Sequence, residues 1–157
     1  MIEIDKAERK ILSILQVDGR ISNVDLAEKV GLSESPCFRR TKHLEENGTI
    51  MGYAACVDRR LIGLQVTAFV QVSLSKKNER ETHDFITCVE KEAHIVECHA
   101  MSGAYDYLLK VVARSMDHFS ELSMERILKF PGVQDIESHF SLKEVKLSQS
   151  LPLEQTS

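Results

Sequence analysis

The chain has 157 residues, 43% of them hydrophobic and 28% charged, with a formal net charge of −4 at pH 7. That composition belongs to a globular protein of one ordinary domain or two small ones, and it excludes both a disordered chain and one that coats nucleic acid indiscriminately. No apolar run approaches the roughly 20 residues that span a bilayer, and MIEIDKAERK lacks a signal-peptide core, so a cytosolic location is expected.

Asp5, followed three residues later by Glu8, reads as a helix N-cap with a reaching carboxylate; Ala7, Ile11, Leu12, Ile14 and Leu15 then recur at helical spacing until Asp18-Gly19. Ser22 and Asp25 repeat the signature for a second helix, whose apolar face of Leu26, Ala27 and Val30 stops at Gly31. A third helix begins near Ser33 or Ser35, with Pro36 in the first turn, where an N–H would have no partner anyway. At about 100° per residue, Cys37, Thr41 and Leu44 face the first two helices, while Ser35, Phe38, Arg39, Lys42 and His43 face outward. Two short helices joined by a glycine turn, with basic residues massed on the second, have the layout of a helix-turn-helix that reads DNA. Residues 1–60 hold ten Lys+Arg and ten Asp+Glu, so any affinity for DNA must come from local clustering, as on Arg39, Arg40 and Lys42. Asn47-Gly48 closes the helix, residues 50–57 read as an exit strand, and Asp58-Arg59-Arg60 with Gly63 marks a polar hinge.

Beyond the hinge the period changes from 3.6 to 2, as Val66, Ala68, Val70, Val72 and Leu74 alternate with Thr67, Phe69, Gln71 and Ser73. Lys76-Lys77 and Glu79-Arg80-Glu81 read as a solvated turn and helix start, and a helix spans 79–91. Strands at 94–101 and 105–113 flank Ser102-Gly103-Ala104; a helix from Asp117 carries Phe119, Leu122, Ile127 and Leu128, and a last strand covers 133–143. The order β-α-β-β-α-β with right-handed crossovers gives a four-stranded antiparallel sheet with both helices on one face. The expected fold class is therefore α+β: an N-terminal helix-turn-helix (winged-helix-like) domain over 1–60, then a C-terminal ferredoxin-like βαββαβ sandwich over 61–146. The remainder, 147–157, reads as a frayed tail. The open face of the sheet would carry Phe69, Ile95, Met101, Leu108 and Val112, too much apolar surface to leave wet, and a second copy of the chain is the simplest cover.

Cys37, Cys56, Cys88 and Cys98 form no C-x-x-C pair, so neither a disulfide framework nor a zinc ribbon is indicated. On a strand, His94 and Cys98 would lie about 13 Å apart, too far to ligate a metal together. No nucleophile triad, phosphate loop or paired-carboxylate setting stands out, and no cofactor is expected.

Five stretches carry a family resemblance: DKAERKIL at 5–12, LAEKVGLS at 26–33, SPCFRRTKHLEENGTIMGY at 35–53, SGAYDYLL at 102–109 and FPGV at 130–133. Together, in this order, they make residues 4 to about 146 resemble the Lrp/AsnC, or feast/famine, regulators. The resemblance implies a transcription regulator that binds double-stranded DNA and senses an amino acid. It also implies dimers formed through the C-terminal sheets, assembling further into an octamer.

For the third helix, the direct-readout reading assigns Arg39 or Arg40 to guanine and Ser33, Ser35, Lys42 and His43 to phosphates or base edges. The competing reading is a solvated basic face on an interaction helix. Phe38 reads as a flank of the core, with a thymine-methyl contact as the alternative. In the loop, the N–H groups of Gly103, Ala104 and Tyr105 suit a ligand carboxylate and Asp106 suits an ammonium. Spacing alone leaves a plain hairpin turn in contention, whereas the resemblance makes Met101, Ser102, Gly103, Ala104, Tyr105 and Asp106 an effector site. The family often has threonines after its P-G-V, where this chain has Ile136 and Ser138; Ile136 and Met101 then read as apolar walls for leucine or methionine. Two rival functions are an architectural DNA-binding protein without effector and a small ferredoxin-like enzyme using His94 or His99.

Overall fold

In the computed structural model, the residues described are 4–75, 79–147 and 150–153. They form two compact units: residues up to Cys56 together with the return segment from Lys146, and Val57–Val145. The Lys76-Lys77 turn lies outside the described residues, as do parts of the tail at 148–149 and 154–157.

The first unit contains α1 (Lys6–Leu15), α2 (Asn23–Val30) and α3 (Glu34–Glu46). Asp5 caps α1 through a full capping box: its carboxylate accepts from the Glu8 N–H at 2.9 Å, and the Glu8 carboxylate accepts from the Asp5 N–H at 3.0 Å. Ser22 caps α2 in the same direction, and Gly31 ends it at φ 85°, a conformation that side chains with a Cβ rarely adopt. Ile11, Leu26, Ala27, Cys37 and Leu44 are buried together, so α3 presents the predicted apolar face to α1 and α2.

Residues 50–57 depart from expectation. They form no strand, and Met51, Tyr53 and Val57 are exposed, because no described segment offers the ladder of N–H and C=O groups a strand requires. The run is anchored at its start, where the Ile50 N–H donates to the Leu44 carbonyl at 2.9 Å, and at Tyr53, whose hydroxyl donates to Glu45 Oε1 at 3.0 Å and whose ring lies so near Gly19 that a Cβ there would come within 3.1 Å of Tyr53 Cδ1.

The tail is not frayed where it is described. Gln16 engages Leu151 from both ends of its amide, donating to the Leu151 carbonyl and accepting from the Leu151 N–H, and Leu153 packs against the helical core. The amide imitates a neighbouring peptide group, a pairing between residues 135 apart that local patterning cannot reveal.

The second unit is the four-stranded antiparallel sheet, in the order β2-β3-β1-β4, built from β1 (Val66–Leu74), β2 (Ile95–Ala100), β3 (Tyr107–Ala113) and β4 (Val133–Phe140). One face is covered by α4 (Glu79–Lys91) and α5 (Met116–Glu121), with Ala68, Val70, Val72, Leu109 and Val111 buried beneath Phe85, Phe119 and Leu122. After α5 the helix widens into a π-turn over Leu122–Arg126 and tightens into a 3-10 turn over Ile127–Lys129. In an unbroken α-helix Arg126 would sit on the buried stripe with Phe119 and Leu122. The wide turn inserts one residue, so Ile127 enters the core at 0% exposure while Arg126 leaves it to pair with Glu92 at 2.9 Å. The same shift leaves Leu128, expected inside, exposed.

The face away from the helices carries exposed Phe69 and half-buried Leu108, as expected; Val112 lies on that side but is buried at 6% exposure, Met101 stands beyond the end of β2 in the following loop, and Ile95 is not on that face. Ile95 packs on the helix-covered core opposite Val111, and a bulge before Glu97 then resets the alternation. Glu97 consequently lies across from Lys110, which it meets at 2.7 Å.

The tail contact carries a test. Leu153→Ala should destabilise the helical unit by about 1 kcal/mol, less than the usual core Leu→Ala cost because the residue is only partly buried. Hydrogen exchange should show faster amide exchange in Ile11–Leu15 and no change in Val70–Val72.

Candidate nucleic-acid interface and effector loop

The outward face of α3 follows from helix geometry, since burial of Cys37 and Leu44 turns Ser35, Phe38, Arg39, Lys42 and His43 toward solvent. Arg39 is exposed and makes no ion pair or hydrogen bond with another described residue, which leaves its five donors available. Lys42 is exposed and lies 3.9 Å from Glu45. Ser33 sits at the N-cap of α3 without a side-chain cap bond, leaving its hydroxyl at the positive end of the helix dipole.

Arg40 does something else. Consecutive helical residues point about 100° apart, and this step turns Arg40 back onto α1, where its guanidinium pairs with Asp5 and lies 3.6 Å from Glu8. The structure therefore separates two residues the sequence grouped together: Arg39 faces out, and Arg40 ties α3 to the α1 cap. Phe38 also departs from the reading as a core flank, because 59% of it is exposed. It borders a cleft of about 130 Å3 shared with Leu15, Ile21, Leu26 and Tyr53. Burial, with the Glu45 carboxylate adding to it, pushes the Tyr53 phenol up to about 12, so it stays a donor to that carboxylate.

The loop after β2 is held at its base by three bonds that converge on Asp106. Met101 N–H donates to the Asp106 carbonyl, Asp106 N–H donates to the Val72 carbonyl, and Leu74 N–H donates to Asp106 Oδ2, each at 2.9 Å. The aspartate is thus a fixed part of the sheet edge, with one carboxylate oxygen engaged by β1. None of the N–H groups of Ser102, Gly103, Ala104 or Tyr105 donates to another described residue. Gly103 stands at φ 136°, where an L side chain is strained, although nothing lies within 4 Å of a Cβ built there. Met101, Ser102, Gly103 and Ala104 are exposed, and Tyr105 and Asp106 half-buried.

Ile136 is not brought to this loop. It pairs with Val72 across β1, one strand beyond Tyr107, and its side chain packs on the helix-covered core. The histidines do not assemble a centre either: His94 Nδ1 lies 2.9 Å from the Val112 carbonyl, His99 lies 3.6 Å from Glu97, and among the described residues no His/Cys/Asp/Glu group is suited to a metal ion. No described helix is long and apolar enough to cross a membrane.

Comparison with known proteins agrees with this geometry. Residues 4–51 match a winged helix-turn-helix DNA-binding family and residues 67–151 match the Lrp/AsnC ligand binding domain. The leucine-responsive regulatory protein of Escherichia coli K12 is 40% identical over 149 residues, covering 95% of this chain and 91% of the relative. A transcriptional regulator of Neisseria meningitidis, solved in complex with L-methionine, superposes with a TM-score of 0.93 at 42% identity, covering 96% of this chain and 97% of its own. An AsnC family transcriptional regulator from Agrobacterium tumefaciens gives 0.90 at 35% identity, covering 95% and 97%.

The α1 cap makes a pH prediction. The Glu8 N–H, with Arg40 adding to it, holds the Asp5 carboxyl below its ordinary value of 3.8. A depressed folded value contributes stability above the unfolded one and loses it as pH falls through the folded one. Asp5→Ala should therefore cost the helical unit about 0.5–2 kcal/mol at pH 7, most of it from the cap because the ion pair is partly exposed. Thermal melts should show parent and variant converging as pH falls below 3.8.

Proposed function

The chain belongs to the Lrp/AsnC family of DNA-binding transcription regulators with an amino-acid-binding domain, and on that premise we propose which residues read DNA, which bind the effector, and what the effector is. Arg39 is the principal base reader, forking onto guanine O6 and N7 in the major groove. Ser33, Ser35, Lys42 and His43 contact phosphates and base edges around it, and Arg40 holds the helix at the angle this requires. The observation that carries this assignment is the division of roles between adjacent arginines: one unpaired and outward, the other committed to Asp5.

The effector is leucine or methionine, bound at Met101–Asp106. The unpartnered N–H groups of Gly103 to Tyr105 receive its carboxylate, and the Asp106 carboxylate, held in place by the Leu74 N–H, faces its ammonium. Met101 supplies apolar contact; Ile136, turned into the core, does not. The L-methionine complex of the Neisseria relative and the leucine response of the Escherichia one support this pair of amino acids.

The open sheet face supports self-association. Phe69 and Leu108 lie at its centre, with Glu97, Lys110, His99, Glu137 and His139 around them, the apolar-centre and charged-rim arrangement of an interface. Dimers formed there assemble into an octamer, and the effector selects among arrangements of dimers, which by linkage changes the affinity for DNA. The protein works in the cytosol as a regulator, without catalysis.

Two substitutions test the assignments. Arg39→Ala should weaken binding to a selected operator by about 1–3 kcal/mol and relax base preference at one position per half-site, in gel shifts at fixed salt. Unchanged affinity would remove α3 from direct readout. Asp106→Asn keeps an oxygen for Leu74 and removes the charge. Calorimetry with leucine and methionine should then show binding lost, with DNA affinity retained.

A further inference from the structure

Phe38 is the one large apolar side chain on a face otherwise made of Ser35, Arg39, Lys42 and His43, and 59% of it is exposed. Cys37 and Leu44, at 0% and 1% exposure, fill the core beneath, and although the ring borders the cleft shared with Leu15, Ile21, Leu26 and Tyr53, most of it stays outside. Around the helix it lies between Thr41, at the buried edge, and Lys42, on the outward side. Lys42 is therefore its neighbour on the outward side, with Arg39 farther round on that same side, and Glu45 and Thr41 flank it on the other.

A protein partner would be expected to meet a wider apolar patch than one phenyl ring among cations. A DNA major groove offers what this face lacks: anionic phosphates for Arg39 and Lys42, and beside them an apolar group, the C5-methyl of thymine. We propose that Phe38 is a specificity-determining residue that reads a thymine methyl beside the base contacted by Arg39. The inference rests on α3 being the reading helix and goes beyond it, because it assigns a base identity to an apolar contact.

The test uses the full chain and a duplex selected from random sequence by that chain. Each thymine of one half-site is replaced singly by deoxyuridine, which removes only the methyl. The parent protein should lose about fourfold in affinity at one such position, the magnitude for one buried methyl. Phe38→Ala should bind the thymine duplex more weakly and show no further loss with deoxyuridine there. Phe38→Leu, which keeps an apolar group, should retain part of the sensitivity and guards against misfolding of the alanine variant; circular dichroism checks both. Parent affinity that is indifferent to every replacement overturns the proposal, as does Phe38→Ala retaining the parent's fourfold loss. Arg39→Ala in the same assay separates the two levels. If it loses base preference while the methyl is silent, α3 reads DNA without Phe38; if neither matters, α3 is not the reader.

Discussion

Two adjacent arginines on one helix point about 100° apart, and on α3 that step carries Arg40 to Asp5 and Glu8 on α1 while Arg39 stays in solvent. The DNA-binding unit is organised around that constraint. Asp5 caps α1 and pairs with Arg40, so one carboxylate both starts one helix and sets the roll of another. Burial of Cys37 and Leu44 fixes the same roll from the core side and leaves Arg39 facing out. The pair is partly exposed, so its direct contribution to stability is small, and its importance lies in orientation.

The second unit solves a related problem at the sheet. Its central strand, β1, is buried on the helix side from Ala68 to Leu74, while the alternate residues of the same strand face the open side. The loop that approaches β1 at Val72 and Leu74 is tied through Asp106 to both of those residues. A ligand charge placed on Asp106 would thus act on a group bonded to the middle of the sheet, rather than on a loose turn. On the proposed reading, occupancy of the loop would reach the sheet through Asp106 without requiring the loop itself to travel far.

Much of this was readable from local signals. The Asp5 and Glu8 spacing marked a capping box, the 3.6 period marked the buried side of α3, and the change to period 2 at Val66 located β1. Residues joined by long-range contacts were less legible. Arg40 meets Asp5 across 35 positions, and nothing near Arg40 in sequence distinguishes it from Arg39. Ile95 was misassigned because a bulge breaks the alternation, and Leu128 because a π-turn inserts a residue into the helical count. Ile136 belongs with them, because the pairing with Val72 that turns it to the helix-covered side is fixed by a strand register that no local pattern carries.

The docking of Leu151 and Leu153 on the helical unit has a topological consequence. The chain passes from one unit to the other at Cys56–Val57 and passes back at Val145–Lys146, so the sheet unit is an insertion between two parts of the helical one. Cutting either crossing leaves the other covalent link intact, and a torsional displacement of one crossing must be matched by the other. The reader is thus closed by both ends of the chain rather than hung as a pendant on a single thread, and its fold draws on residues from either side of the sheet unit.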